Sequence, residues 1–173
     1  MNAPPSPDNS REFRNALGCF ATGVTVITTL NEDGEPAGVT IGSFTSLSLT
    51  PPLILWSLAL SACCIDVFRK ARYFAVNVLA ADQHHLSDRF AVKGKNRFAG
   101  VPVNKSKEGL PLIEGCCAWF ECRNETSYPG GDHLILIGQV EHFRQDRTKV
   151  PLIFHQGRYC SIVEPALRNP TSR

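Results

Sequence analysis

The sequence predicts a mainly β domain with short helices, an antiparallel barrel or sandwich. Short runs rich in β-branched and aromatic residues recur along the chain, among them VTVITTL at 24–30 and YFAVNVL at 73–79. Turn signals, NEDG at 31–34 and SYPGGD at 127–132, join such runs as hairpins. Strands and helices do not alternate regularly, so a doubly wound parallel sheet is disfavoured. The 173 residues suffice for one domain with a real core.

Residues 1–9 are rich in proline and read as a flexible leader, with neither the basic region nor the apolar core of a secretory signal. Phe13, Leu17 and Phe20 then share one face of a helix that Ser10 caps, Glu12 enters at its first turn and Gly23 ends. Residues 24–30 form a strand, NEDG turns the chain, and 36–49 return as a single strand that Pro51-Pro52 stops. Residues 53–60 are a third strand. A helix over 61–71 starts at Ser61 and buries Ile65 and Phe68; a strand over 73–79 and a helix over 81–91, with Leu86 and Phe90 on one face, follow. The polar, Gly-punctuated stretch 93–109 reads as a long loop. Strands at 118–125 and 133–143 flank SYPGGD, and 151–154 with 158–163 make a last β pair around Gln156-Gly157. LILIGQV at 134–140 is apolar on both faces: one can fill a barrel, and the other needs a helix or a second subunit as cover. Residues 10–164 therefore read as one domain and 165–173 as a loose tail.

Composition removes several function classes. A net charge of +2 without a run of Lys or Arg gives no electrostatic footprint for nucleic acid or an anionic membrane. The apolar stretches are too short to span a bilayer. The chain has no G-x-S-x-G elbow, no Walker A loop and no G-x-G-x-x-G. The seven cysteines include no C-x-x-C pair, and Cys63-Cys64 and Cys116-Cys117 are adjacent, a spacing that strains a disulfide. They read as small buried apolar residues of a cytoplasmic protein. His84-His85 lacks the spacing of a metal pair, and no metal site is expected.

One segment invites a ligand. Residues 38–60 carry seven Ser and Thr, including Thr40, Ser43, Thr45, Ser46 and Ser48, in what otherwise reads as buried strand. Buried hydroxyls need partners. A planar cofactor with a polar edge would supply them, and so would a plain edge strand facing water. A flavin fits the first reading: residues 43–46 for its ring, the helix start near Ser61 for its phosphate, and Lys93 and Arg97 for added charge. The second reading leaves Lys93 and Arg97 in a solvated loop.

The motifs taken together carry a resemblance. FRNALGCFATGVTVITT, GVTIGSFTSLSLTPPLILWSL, YFAVNVLA, LSDRFA, YPGGDHLILIGQV and PLIFHQGRY occur in an order that resembles the flavin reductases serving two-component monooxygenases, across residues 13–163. The resemblance implies an antiparallel split β-barrel (the FMN-binding split barrel, a Greek key) that forms a homodimer. It implies hydride transfer from NADH or NADPH to FMN or FAD, with the reduced flavin passing to a partner monooxygenase. By the same resemblance Thr40, Ser43, Thr45 and Ser46 contact the ring and ribityl chain, Ser61, Ala62, Cys63 and Cys64 receive the phosphate, and Phe90, Lys93 and Arg97 close the site. His133, in the G-D-H segment, sits by the nicotinamide as a positioning donor, with Arg158 and Tyr159 in the same pocket. His133 can equally be a barrel-mouth residue bonded to Asp132. The segment SACCID departs from the hydroxyl- and amide-rich pattern of the family, so backbone N–H groups would carry the phosphate. The alternatives are a flavin carrier or sensor without turnover, and a pyridoxamine phosphate oxidase, whose basic phosphate cluster is not found.

Overall fold

A computed structural model describes residues 4–94 and 96–162. In chain order its elements are α1 (Ser10–Leu17), β1 (Thr22–Gly23), β2 (Thr25–Leu30), β3 (Pro36–Ile41), β4 (Thr45–Leu49), β5 (Pro52–Ala59), α2 (Ile65–Lys70), β6 (Tyr73–Val78), α3 (His84–Ala91), β7 (Val103–Lys105), β8 (Pro111–Ile113), β9 (Ala118–Gly130), β10 (His133–Gln145), β11 (Ile153–His155) and β12 (Arg158–Cys160). Seven strands form one antiparallel sheet in the order β3-β2-β6-β9-β10-β5-β4. β3 and β4 follow one another in sequence yet are the two outermost strands. The link at 42–44 therefore carries the chain from one edge of the sheet to the other, and β3 comes up against β5 without joining its ladder. The sheet is a barrel with one unpaired seam.

Period-two alternation separates two cores. Ile27, Trp56, Phe74 and Leu136 fill one, and α2 closes it with Phe68. Val26, Ala75 and Trp119 point to the other, where Phe90 of α3 and Ile113 of β8 cover the sheet. Because β2 and β6 are covered on both faces, their polar groups are bonded inside the protein. Asn77 Nδ2 donates to Val26 O at 2.9 Å and its Oδ1 accepts from Ile113 N–H at 2.8 Å; Thr28 Oγ1 donates to Pro111 O at 2.6 Å.

Several sequence expectations change. The single strand over 36–49 is two strands, and the β4 half is mostly exposed rather than buried. α1 stops at Leu17, not Gly23: after Gly18 N–H bonds Arg14 O, the Cys19 and Phe20 N–H groups fall back to the carbonyls three residues before them. Its first cap is Asn9, and none of its residues is buried, so Phe13, Leu17 and Phe20 stay exposed. α2 starts at Ile65, four residues after the expected Ser61. SYPGGD is mostly strand: the β9–β10 ladder runs to Gly130 and His133, leaving only Gly131 and Asp132 as the turn. The loop expected at 93–109 contains β7, paired with β8. Residues 4–9 of the segment read as a leader include a 3-10 turn at Pro7–Asn9, with Ser6 N–H donating to Asn9 Oδ1 at 2.8 Å. Residues 1–3, Val163 and the expected tail 165–173 lie outside the described residues.

Candidate functional site

The seam between β3 and β5 is where the site is built. A sheet edge that ends without a neighbour exposes unpaired N–H and C=O groups, and two side chains answer them here. Ser43 Oγ accepts from Ser57 N–H at 2.9 Å and donates to Ser57 O at 3.0 Å, tying the β3–β4 link to β5 at one end of the seam. At the other end Arg97 spans the gap. Its Nη1 donates to Gly38 O of β3 at 2.8 Å and reaches Phe90 O at 3.5 Å, while Nη2 donates to Cys63 Sγ at 3.2 Å in the turn after β5. Arg97 Nε is buried without a partner.

Beside this bridge lies a cleft of about 720 Å³, lined by Glu35, Gly38, Cys63, Cys64, Arg97 and Phe98. Cys63 and Cys64, at the end of the turn 61–64, line it. Ala62 N–H is taken by Ala59 O at 2.9 Å, whereas the amides of Ser61, Cys63 and Cys64 have no backbone partner among the described residues. Free amides and a guanidinium are the donors an anion needs. Cys64 is buried, and burial pushes its thiol up; Cys63 is exposed. Gly38 is required by the packing of the far wall: a Cβ there would stand 2.8 Å from the Phe90 ring and 3.1 Å from Phe98.

The remaining sequence candidates are distributed around the barrel. Phe90 is fully buried, edge-on to Phe98 with ring centroids 4.9 Å apart, so Phe98 and not Phe90 faces the cleft. Lys93 and Arg158 are exposed, and no side-chain bond of either is seen among the described residues. Thr40 turns to α3, donating to Ser87 O at 2.7 Å, and lines a second pocket of about 200 Å³ with Ile41, Phe154 and Tyr159. The Tyr159 hydroxyl donates to Asp88 Oδ1 at 2.7 Å and shares a bond with Ser87 Oγ at 2.9 Å; burial raises its ionisation above the usual tyrosine value. Thr45 and Ser46 are exposed on β4, beside a bulge between Ser46 and Ser48. His133 Nδ1 lies 2.7 Å from Asp132 Oδ1, and this bond holds the Asp132 carboxyl below its ordinary value. His133 pairs with Ala59 and Thr45 with Leu55 on opposite sides of β5, registers about 13 Å apart along an extended strand. One chain thus brings Cys63, Cys64 and Arg97 together and keeps His133 apart from Thr45. Sequence reasoning missed Phe98 and Ser57; Gly38 inside a strand pattern was the available sign of a close approach.

Comparison with known proteins places this architecture. A profile of the flavin reductase like domain matches residues 17–163. The chain is 45% identical over 155 residues to the FMN reductase (NADH) SmoA of Agrobacterium fabrum, covering 90% of this chain and 87% of that protein. It is 47% identical over 143 residues to the reductase component of a flavin-dependent trigonelline monooxygenase from Acinetobacter baylyi, covering 83% of this chain but 46% of that longer protein. The structure superposes with a TM-score of 0.88, at 34% identity, on the NADH:FAD oxidoreductase SgcE6 of Streptomyces globisporus in complex with NAD and FAD fragments, covering 95% of this chain and 99% of that one.

Proposed function

The chain belongs to the flavin reductase like family, and from that membership we propose that it reduces FMN or FAD with NADH or NADPH at the β3–β5 seam and releases the reduced flavin to a partner monooxygenase. The observation that carries this reading is the Arg97 bridge, a guanidinium beside free amides at the rim of a 720 Å³ cleft.

Hydride transfer between nicotinamide and isoalloxazine is chemistry the two cofactors supply themselves. The work left to the protein is to bind, align and exclude water. Arg97 and the amides at 61, 63 and 64 hold the flavin phosphate; Cys63 and Cys64 offer no hydroxyl, so the backbone does what side chains do elsewhere. Thr45, Ser46 and the backbone at the β4 bulge donate to the pyrimidine edge of the ring, where negative charge collects on reduction. Ser43 and Thr40, both bonded within the chain, fix the strand that presents those groups. His133, oriented by Asp132, donates to the carboxamide of the nicotinamide, and Tyr159 with Arg158 flanks the same substrate.

The protein works as a homodimer in this reading. Ile135 and Ile137 are half-buried on the outer face of β10, and Leu47 and Leu49 of β4 are 47% and 91% exposed, apolar side chains that a second copy would cover. No helix among the described residues is long and apolar enough to cross a membrane, and we assign the protein to the cytoplasm. Residues 10–164 make up the single reductase domain.

The test is steady-state NADH oxidation by the purified protein with and without added FMN or FAD. Oxidation that requires flavin supports the reading; inertness of both NADH and NADPH in the presence of both flavins rejects it.

A further inference from the structure

Of the seven cysteines, all free, Cys64, Cys116 and Cys122 are buried, and burial raises each of their thiols, Cys116 to about 12. Cys117 is half-buried and also raised by burial. Cys19 and Cys63 are exposed, and Cys160 is half-buried. Their surroundings differ. Among the described residues Cys19 Sγ bonds two neutral groups, Asn15 O and Gln156 Nε2, both at 3.6 Å, and Cys160 Sγ donates to Arg158 O at 3.8 Å. Cys63 Sγ instead receives a guanidinium N–H from Arg97 at 3.2 Å, at the cleft of about 720 Å³. Solvent access beside a fixed cation is the environment in which a thiol is oxidised selectively. That cation is held in place by the carbonyls of Gly38 and Phe90, so it does not swing away from the sulfur.

We propose that Cys63 is an oxidation-sensitive thiol that couples flavin binding to hydrogen peroxide. This rests on the reading of the Arg97 cleft as the flavin phosphate site. The oxidant is hydrogen peroxide, formed when released reduced flavin passes two electrons and two protons to dioxygen. The Cys63 sulfur attacks one peroxide oxygen: an S–O bond forms, the O–O bond breaks, and the departing hydroxide takes the thiol proton and leaves as water. Sulfur loses two electrons and becomes a sulfenic acid. The added oxygen stands against the Arg97 guanidinium, where a phosphate oxygen would otherwise bind. Cys64 does not resolve the product, being its immediate neighbour and buried. Reduction by an external thiol restores the site. Uncoupled turnover, in which reduced flavin is lost to oxygen, would thereby switch off the enzyme that feeds it.

The experiment uses the full-length, flavin-free protein treated with hydrogen peroxide and dimedone, with labelling of each cysteine peptide followed by mass spectrometry. Cys63 is expected to label about tenfold faster than Cys19 or Cys160, and FMN is expected to slow that labelling. Peroxide alone should weaken FMN binding about tenfold, reversibly with dithiothreitol. The Cys63→Ser protein, compared with its own untreated state, should show no peroxide effect. Labelling of Cys63 no faster than of Cys19 and Cys160 overturns the proposal, as does selective labelling that leaves FMN affinity unchanged. Titrations of untreated protein with FMN and with FAD test the flavin site by itself: selective labelling of Cys63 in a protein that binds neither flavin would reject the flavin reading, and with it the coupling, but not the reactive thiol.

Discussion

Ser43 Oγ bonds both backbone groups of Ser57, accepting from its N–H at 2.9 Å and donating to its carbonyl at 3.0 Å. A hydroxyl thus stands in for a strand residue where β3 leaves the sheet, and it fixes the width of the seam at one end. Ser43→Ala removes both bonds at an exposed position where water can replace them in part. A loss of about 0.5–1.5 kcal/mol is expected, read as a lower urea midpoint with an unchanged m-value. A midpoint equal to that of the wild type would show that the seam is held without Ser43.

Gly38 sets the opposite wall. A Cβ at this position would meet Phe90 Cε1 at 2.8 Å and Phe90 Cδ1 at 2.9 Å, and Phe90 is fully buried and has no room to retreat. Gly38→Ala should cost about 1–3 kcal/mol by overpacking. The double variant Gly38→Ala, Phe90→Leu should lose less than the sum of the two single variants, because one change makes room for the other. Additive losses in urea unfolding would mean that the two residues do not share the constraint.

Much of the barrel is legible in the chain, and the exceptions have physical causes. β2 and β6 read clearly because β-branched residues covered on both faces leave no competing pattern. The break inside 36–49 is hidden: alternation continues through Gly42 and Phe44, and what stops the strand is the partner of Ser43, fourteen residues away. The same limit applies to the site. The resemblance marks Cys63 as a phosphate residue and the loop's charge marks Arg97, but their contact joins residues 34 apart. The resemblance names Phe90 as closing the site, although Phe90 sits at helical spacing from Leu86. That spacing marks a core position, and the core is where Phe90 is found. The breakers in SYPGGD signal a turn, but the length of the flanking strands depends on cross-strand pairing that no local residue encodes.

Tyr159 ties the short β11–β12 ladder to α3 through Asp88 and Ser87. Burial is the main cause of its raised ionisation, so the neutral phenol is the form the folded protein prefers. A group raised in this way adds stability that is fully present below its unfolded value near 10 and is lost as pH climbs through the folded value. Tyr159→Phe should melt below the wild type at neutral pH, and the gap should narrow as pH rises above 10. A gap that stays constant across that range would remove Tyr159 from the linkage.

The proposed function rests most directly on Arg97 as the residue that would close the seam over a flavin phosphate. The deciding measurement is an equilibrium FMN titration, followed by flavin fluorescence, of the wild type and of Arg97→Ala, with circular dichroism to establish that both are folded. We predict that the variant keeps its β spectrum and binds FMN at least about tenfold more weakly, the loss of a charge-assisted contact. A folded Arg97→Ala protein that binds FMN as tightly as the wild type would contradict the account.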